Sequence, residues 1–210
     1  NSTGTSAAAT SAAVTPAGKP DAPTGVNAVS GNGSATVSFV APIVTGGPAI
    51  ASYTVTASPN GATCTVNAPA TSCVVPGLTN GTAYTFAVTA NNGLFTSSAS
   101  TASSSVVPST VPDAPTAVTA ASTTSGSATI TFTAPVNNGG SAVTSYIVTS
   151  SPAGATCAIG TNATTYVCTG LTDGTSYTYS VVAVNAKGNS VGATSSALTT
   201  QGAAAAPTTI

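Results

Sequence analysis

Bulky and small polar residues alternate along most of this chain. Ala35, Val37 and Phe39 share one parity, with Thr36 and Ser38 between them. The same rhythm runs through Tyr53, Val55 and Ala57, and again through Tyr84, Phe86, Val88 and Ala90. In the second half it returns as Ala128, Ile130 and Phe132, then Tyr146 and Val148, then Tyr177, Tyr179, Val181 and Ala183. A period of two over such lengths predicts half-buried β-strands. Gly46-Gly47-Pro48, Asn80-Gly81, Gly139-Gly140 and Asp173-Gly174 supply the turns between them. The last strand of the first half is expected within Thr96 to Val107. The fold class that follows is all-β.

The pattern is also an internal repeat. Gly77-Leu78-Thr79-Asn80-Gly81-Thr82-Ala83-Tyr84 returns as Gly170-Leu171-Thr172-Asp173-Gly174-Thr175-Ser176-Tyr177, a step of 93 residues. In each copy a Tyr opens a strand directly after a turn. That position suits a tyrosine corner, with the ring in the core and the hydroxyl on nearby backbone. Two β-sandwiches of about seven strands each are predicted, of a size that buries a modest core. The organisation read from composition is an extended Ser/Thr/Ala-rich N-terminal arm over 1–19, a first domain over 20–108, a second over 109–202 and a tail over 203–210. The joint Val107-Pro108-Ser109-Thr110-Val111-Pro112 carries two prolines and is expected to be semi-rigid.

Charge content changes the picture most. Lys19, Lys187, Asp21, Asp113 and Asp173 are the whole complement, 2% of the chain, and there is no His, Trp or Met. A Ser-His-Asp or Cys-His arrangement needs the missing His, and general acid–base work needs a titratable group beside its partner. Zinc and calcium sites lack donors, so no cofactor is expected. Two lysines cannot neutralise a phosphate backbone, which argues against nucleic acid. The reading is therefore not an enzyme. A nearly uncharged surface also loses the repulsion that keeps molecules apart, so either glycan covers it or association is its purpose. There is no basic n-region and no apolar run of about 18 residues, so no membrane insertion is expected.

By these motifs the chain resembles fibronectin type III domains, most of all tandem ones from bacterial secreted or cell-surface proteins. The resemblance rests on Pro-Asp-Ala-Pro at 20–23 and 112–115, on Phe39 and Phe132, on Gly-Gly before Ser-Tyr, and on Leu-Thr-x-Gly-Thr-x-Tyr. It covers roughly residues 20–202. Phe39 and Phe132 stand where the family usually has a core Trp, which alters core volume. The resemblance implies a non-catalytic spacer, adhesion or assembly module.

Four cysteines allow three pairings. The repeat selects Cys64 with Cys73 and Cys157 with Cys168, one short hairpin per domain. Closing a loop of about ten residues stabilises by roughly 2–3 kcal/mol in the chain-entropy model. Two thiolates without His or carboxylate do not complete a zinc shell, and the spacing is too wide for a redox dithiol. Structural disulfides imply an oxidising compartment, extracellular or at the cell surface.

Further candidates each stand beside a plainer explanation. Leu94 and Phe95 in a turn are either a contact for a neighbour or a fold-back over the sandwich end. Val182 and Val184 face away from the core where the first domain has Thr89 and Asn91; they hint at a covered outer face, or at β-propensity alone. Asn1, Asn32, Asn80 and Asn162 begin N-glycosylation sequons, which so Asn- and Thr-rich a chain also produces by chance. Ala7 to Thr15 contains no Gly or Pro and suits an edge strand; Ala7, Ala8, Ala9, Ala12, Ala13 and Val14 are its candidate contacts. The leading functional expectation is a subunit that polymerises with copies of itself into a filament, pilus-like fibre or sheath, by donation of this arm. The alternative is a spacer or carbohydrate-contacting module from a larger adhesin or polysaccharide hydrolase. For that alternative Phe95 and Tyr166 are the aromatics left over for a sugar face.

Overall fold

The computed structural model describes residues 4, 9–12, 16–122, 124–158 and 164–202. The chain divides into two compact units, and the two repeats are described separately. Within the described residues of the arm, Ala9 to Ala12 are exposed and in no regular structure. Ala7, Ala8, Ala13 and Val14 lie outside the described residues.

Repeat 1 contains β1 (Thr24–Ser30), β2 (Ser34–Val40), β3 (Ser52–Ser58), β4 (Thr63–Asn67), β5 (Ser72–Pro76) and β6 (Thr85–Asn91). They form two three-stranded sheets in the orders β1-β2-β5 and β4-β3-β6. The alternating residues do what their period dictates. Ala35, Val37, Phe39, Tyr53, Val55, Ala57, Tyr84, Phe86, Val88 and Ala90 are all buried. Where the family's Trp is absent, the Phe39 ring packs at 4.9 Å on Tyr53, and aromatic burial remains the main contribution of that position.

The expected last strand of repeat 1 is not a regular strand. Beyond an isolated bridge from Asn91 to Thr96, the segment is held to β6 by every third residue. Ser97, Ser100 and Ser103 donate their amides to the carbonyls of Ala90, Val88 and Phe86, at 2.8, 2.9 and 2.9 Å. Their hydroxyl oxygens accept the amides of the same three residues at 2.9, 2.9 and 3.1 Å. Each hydroxyl then donates to the next carbonyl along the segment. A serine every third position is the spacing of a three-residue extended turn. The side-chain oxygen here replaces the backbone carbonyl that a β-ladder would use.

Repeat 2 contains β7 (Thr116–Ala121), β8 (Ser127–Thr133), β9 (Val143–Ser151), β10 (Thr156–Cys157), β11 (Thr165–Thr169) and β12 (Ser176–Asn185). Three short pieces follow, β13 (Gly188–Asn189), β14 (Ala193–Thr194) and β15 (Leu198–Thr199). One sheet runs β10-β11-β8-β7; in the other, β12 is flanked by β9 on one side and by β13, β14 and β15 on the other. Phe132 packs on Tyr146 at 4.8 Å and on Tyr166 at 5.7 Å. Tyr166 is thus core and not a free aromatic, because it faces inward with Cys168 on alternate positions of β11.

The two repeats differ in one strand exchange. In repeat 1, β4 pairs with β3 from Ser52↔Asn67 to Thr56↔Thr63. In repeat 2, the corresponding β10 pairs instead with β11, Thr156↔Thr169 and Cys157↔Cys168. The cysteines sit two residues further apart in sequence in repeat 2, with separations of 9 and 11.

Candidate functional site

All five charged side chains are exposed. The Asp173 carboxylate is engaged structurally: it accepts the Gly126 amide at 3.0 Å and the Ser125 hydroxyl. Asn80 does the same work in repeat 1, accepting the Gly33 amide at 2.9 Å while its Nδ2 donates to Asn32 at 2.8 Å. Two sequon asparagines are therefore partners in a loop clasp. Asn1 and Asn162 lie outside the described residues. Among the described residues no group of three or more His, Cys, Asp or Glu is placed to hold a metal ion.

The cysteines are joined Cys64–Cys73 and Cys157–Cys168, with none free. Cys73 and Cys168 are buried. At the tyrosine corner of repeat 2, the Thr172 amide donates to the Tyr177 hydroxyl at 3.1 Å. Burial raises the phenol pKa of Tyr53, Tyr146 and Tyr179, with a smaller upward push on Tyr179 from Tyr177. The Tyr179 hydroxyl is buried and has no hydrogen-bond partner among the described residues.

A pair of asparagines not foreseen from the sequence anchors the start of each repeat. Asn92 Nδ2 donates to the carbonyls of Gly18 and Thr45 at 2.9 and 2.8 Å, while its Oδ1 accepts the amides of Leu94 and Phe95. Asn185 Nδ2 donates to Thr110 and Asn138 at 2.8 and 2.9 Å, and its Oδ1 accepts the Lys187 amide. Both are buried. Their signal was an Asn at the same place in each copy, just before a turn.

Leu94 and Phe95 are 65% and 45% exposed, so neither folds back over the core. Ile43 and Val136, at corresponding loop positions of the two repeats, are fully exposed. An open hollow of about 220 Å³ beside Ile43 is lined by Asp21, Val40 and Pro42 and brings no set of polar groups together. On the outer face of repeat 2, Val182 lies opposite Ile147 and Val184 opposite Ser145. Ile147 is exposed and both valines are half-buried. Repeat 1 carries Thr54, Thr89 and Asn91 at those places. These positions make a surface; they do not make a reaction centre.

A family model described as fibronectin type III domain matches residues 21–106 and 113–201. The chain belongs to the fibronectin type III family. Fibronectin type III domains are generally non-catalytic modules. Chitinase A1 of Niallia circulans is 38% identical over 154 residues, covering 69% of this chain and 21% of the chitinase. The chain thus spans about a fifth of that relative's length. Among solved structures, the chicken CNTN1 FN1-FN3 domains are similar at 21% identity and a TM-score of 0.46, over 87% of this chain and 67% of that one. A two-domain fibronectin type III segment of chicken tenascin is similar at 23% identity and a TM-score of 0.42, over 86% of this chain and 100% of that one. No helix among the described residues is long and apolar enough to cross a membrane.

Proposed function

We propose that this pair of fibronectin type III repeats is an extracellular structural subunit that associates with copies of itself into a fibre or sheath. The observation that carries this reading is the surface. Five charges serve 210 residues, while Ile43, Leu94, Phe95, Val136 and Ile147 stand exposed. Such a surface offers little electrostatic repulsion and several apolar contacts, which favours association over dispersal. One disulfide in each repeat fits an oxidising compartment.

A second reading is favoured by the likeness to Chitinase A1. In it the chain is a spacer beside a polysaccharide-hydrolysing domain, touching the polymer without acting on it. Sugar-contacting faces generally present aromatic rings, and Phe95 is the one aromatic side chain here outside the core. Sedimentation separates the two readings. The purified chain is spun alone and with insoluble chitin. Concentration-dependent pelleting without chitin supports the subunit; pelleting only with chitin replaces it with the spacer.

A further inference from the structure

The strand exchange between the repeats leaves the outer side of β9 without a partner strand among the described residues. On β12, the Ala183 amide donates to the Ser190 hydroxyl and its carbonyl accepts the Ser190 amide. Tyr179 makes the same two bonds with Ser195. Both residues therefore aim their peptide groups away from β9. Opposite residues of an antiparallel pair exchange both bonds or neither. Tyr146 and Ser150, which face Ala183 and Tyr179, accordingly aim their N–H and C=O groups outward, and Val148 between them does the same. In repeat 1 the corresponding groups of Tyr53 and Val55 face β4, paired with Val66 and Cys64. In repeat 2 the strand that would cover them is β10, which pairs with β11. Among the described residues no strand pairs with this side of β9.

The same strand borders the apolar outer face. Ile147 projects outward from β9, with Val182 across from it and Val184 beyond, where repeat 1 is polar. An open row of peptide groups next to an apolar face is a template for another strand. The uncovered side of β9 and the valines are independent features; in repeat 1, β4 covers the matching side of β3 and the matching face residues are polar.

We propose that the free edge of β9 accepts a strand from the N-terminal arm of a second copy of this chain. This rests on the self-association reading and names its contact. The lengths agree: β9 spans nine residues, Val143–Ser151, and Ala7 to Thr15 is a run of nine without Gly, Pro or charge. Ala9 to Ala12 of that run are exposed and unpaired with any strand among the described residues. On a strand added beside β9, the arm's Ala, Ser and Thr side chains are small enough to flank Ile147, about 4.8 Å away, without displacing it. Because donor and acceptor are different surfaces, the contact is head-to-tail and propagates.

Amide hydrogen exchange on the full chain, dilute and concentrated, tests this. On association the amides of Tyr146, Val148 and Ser150 are expected to slow roughly tenfold or more. The doubly substituted chain Ala9→Pro/Ala12→Pro, altered only where the fold does not reach, is expected to lose that slowing, since proline cannot donate to a ladder. Ile147→Lys/Val182→Lys is expected to lose it as well, while Thr54→Lys/Thr89→Lys on repeat 1 keeps it. Association with these three amides unchanged overturns the inference and leaves the self-association reading standing. Slowing that survives the prolines removes the arm as occupant and points to another edge, such as β9 of a second copy. If the chain never associates, the self-association reading falls. The edge is then judged by adding a synthetic peptide of residues 7–15, and unchanged amides at millimolar peptide overturn the inference too.

Discussion

Replacing Ser103 by Ala tests whether the serine spacing really substitutes for a strand. In the native chain the Phe86 amide has one acceptor, the Ser103 hydroxyl oxygen at 3.1 Å, and that bond is buried. Ser103→Ala removes the acceptor and also the bond from that hydroxyl to the Ser104 carbonyl. The segment's own amide still reaches the Phe86 carbonyl at 2.9 Å, so the segment stays in place and water gains no easy access. Leaving one buried amide unsatisfied costs about 1–3 kcal/mol. For a domain of about 90 residues, each kcal/mol lowers Tm by about 4–8 °C. Ser97→Ala, at an equally buried site, carries a similar cost, and Ser100→Ala, half-buried, a smaller one. Adjacent sites of one network do not add simply. Together they nonetheless approach the whole stability of a small domain, about 5–15 kcal/mol. The control lies on the same segment. Ser98 and Ser104 are exposed, and their alanine variants are expected to stay within about 0.5 kcal/mol of the parent. Scanning calorimetry of the full chain reads the shift. A Ser103→Ala variant melting with the parent, or Ser98→Ala costing as much, would mean that the Ser103 hydroxyl does not stand in for a backbone acceptor.

Substitutions at three other positions follow from the same geometry. Asn185→Ala removes the donors to Thr110 and Asn138 and is expected to cost about 2–4 kcal/mol; Asn185→Asp, which turns acceptors toward those carbonyls, costs more, and chemical denaturation ranks the two. Tyr179→Phe deletes a buried hydroxyl without a partner at the place where repeat 1 has Phe86, so calorimetry is expected to show Tm unchanged or raised, by up to about 2 kcal/mol of stability. The same change bears on pH. Burial raises the Tyr53, Tyr146 and Tyr179 phenols, so above about pH 10 the unfolded chain binds fewer protons than the folded one. Stability is therefore full below that pH and falls as pH rises through the folded values, with a shallower fall in Tyr179→Phe. Ala117 holds a positive φ of 51° where repeat 1 has Gly25 at 60°; Ala117→Gly is expected to raise stability by about 1 kcal/mol, measured by urea unfolding.

The strands of both sheets were legible because period-two burial leaves few other readings. Ala35, Val37 and Phe39, or Tyr177, Tyr179, Val181 and Ala183, fit one face and no helix. The repeat was legible for the same reason, since each turn and Tyr recurs in place. Other features were hidden by chemistry that pattern reading treats as neutral. Ser97, Ser100 and Ser103 look like loop composition, and only a period of three reveals that their hydroxyls act as backbone. Asn92 and Asn185 look like turn formers, though each is buried and ties the start of its repeat to a loop. Tyr166 reads from sequence as a ring free for a sugar face because strand β11 is short; its burial is visible only in its shared parity with Cys168. The free edge was the hardest to see. It depends on which neighbour β10 chooses, and two extra residues between Cys157 and Cys168 were the only trace. Non-local pairing of that kind is decided by competing ladders, not by the sequence of either strand.

Self-association into a fibre or sheath is read directly by electron microscopy of this chain across a concentration series. Unbranched polymers with an axial repeat that accommodates two sandwiches are expected, dissolved by Ala9→Pro/Ala12→Pro. Dispersed single particles at every concentration would contradict it.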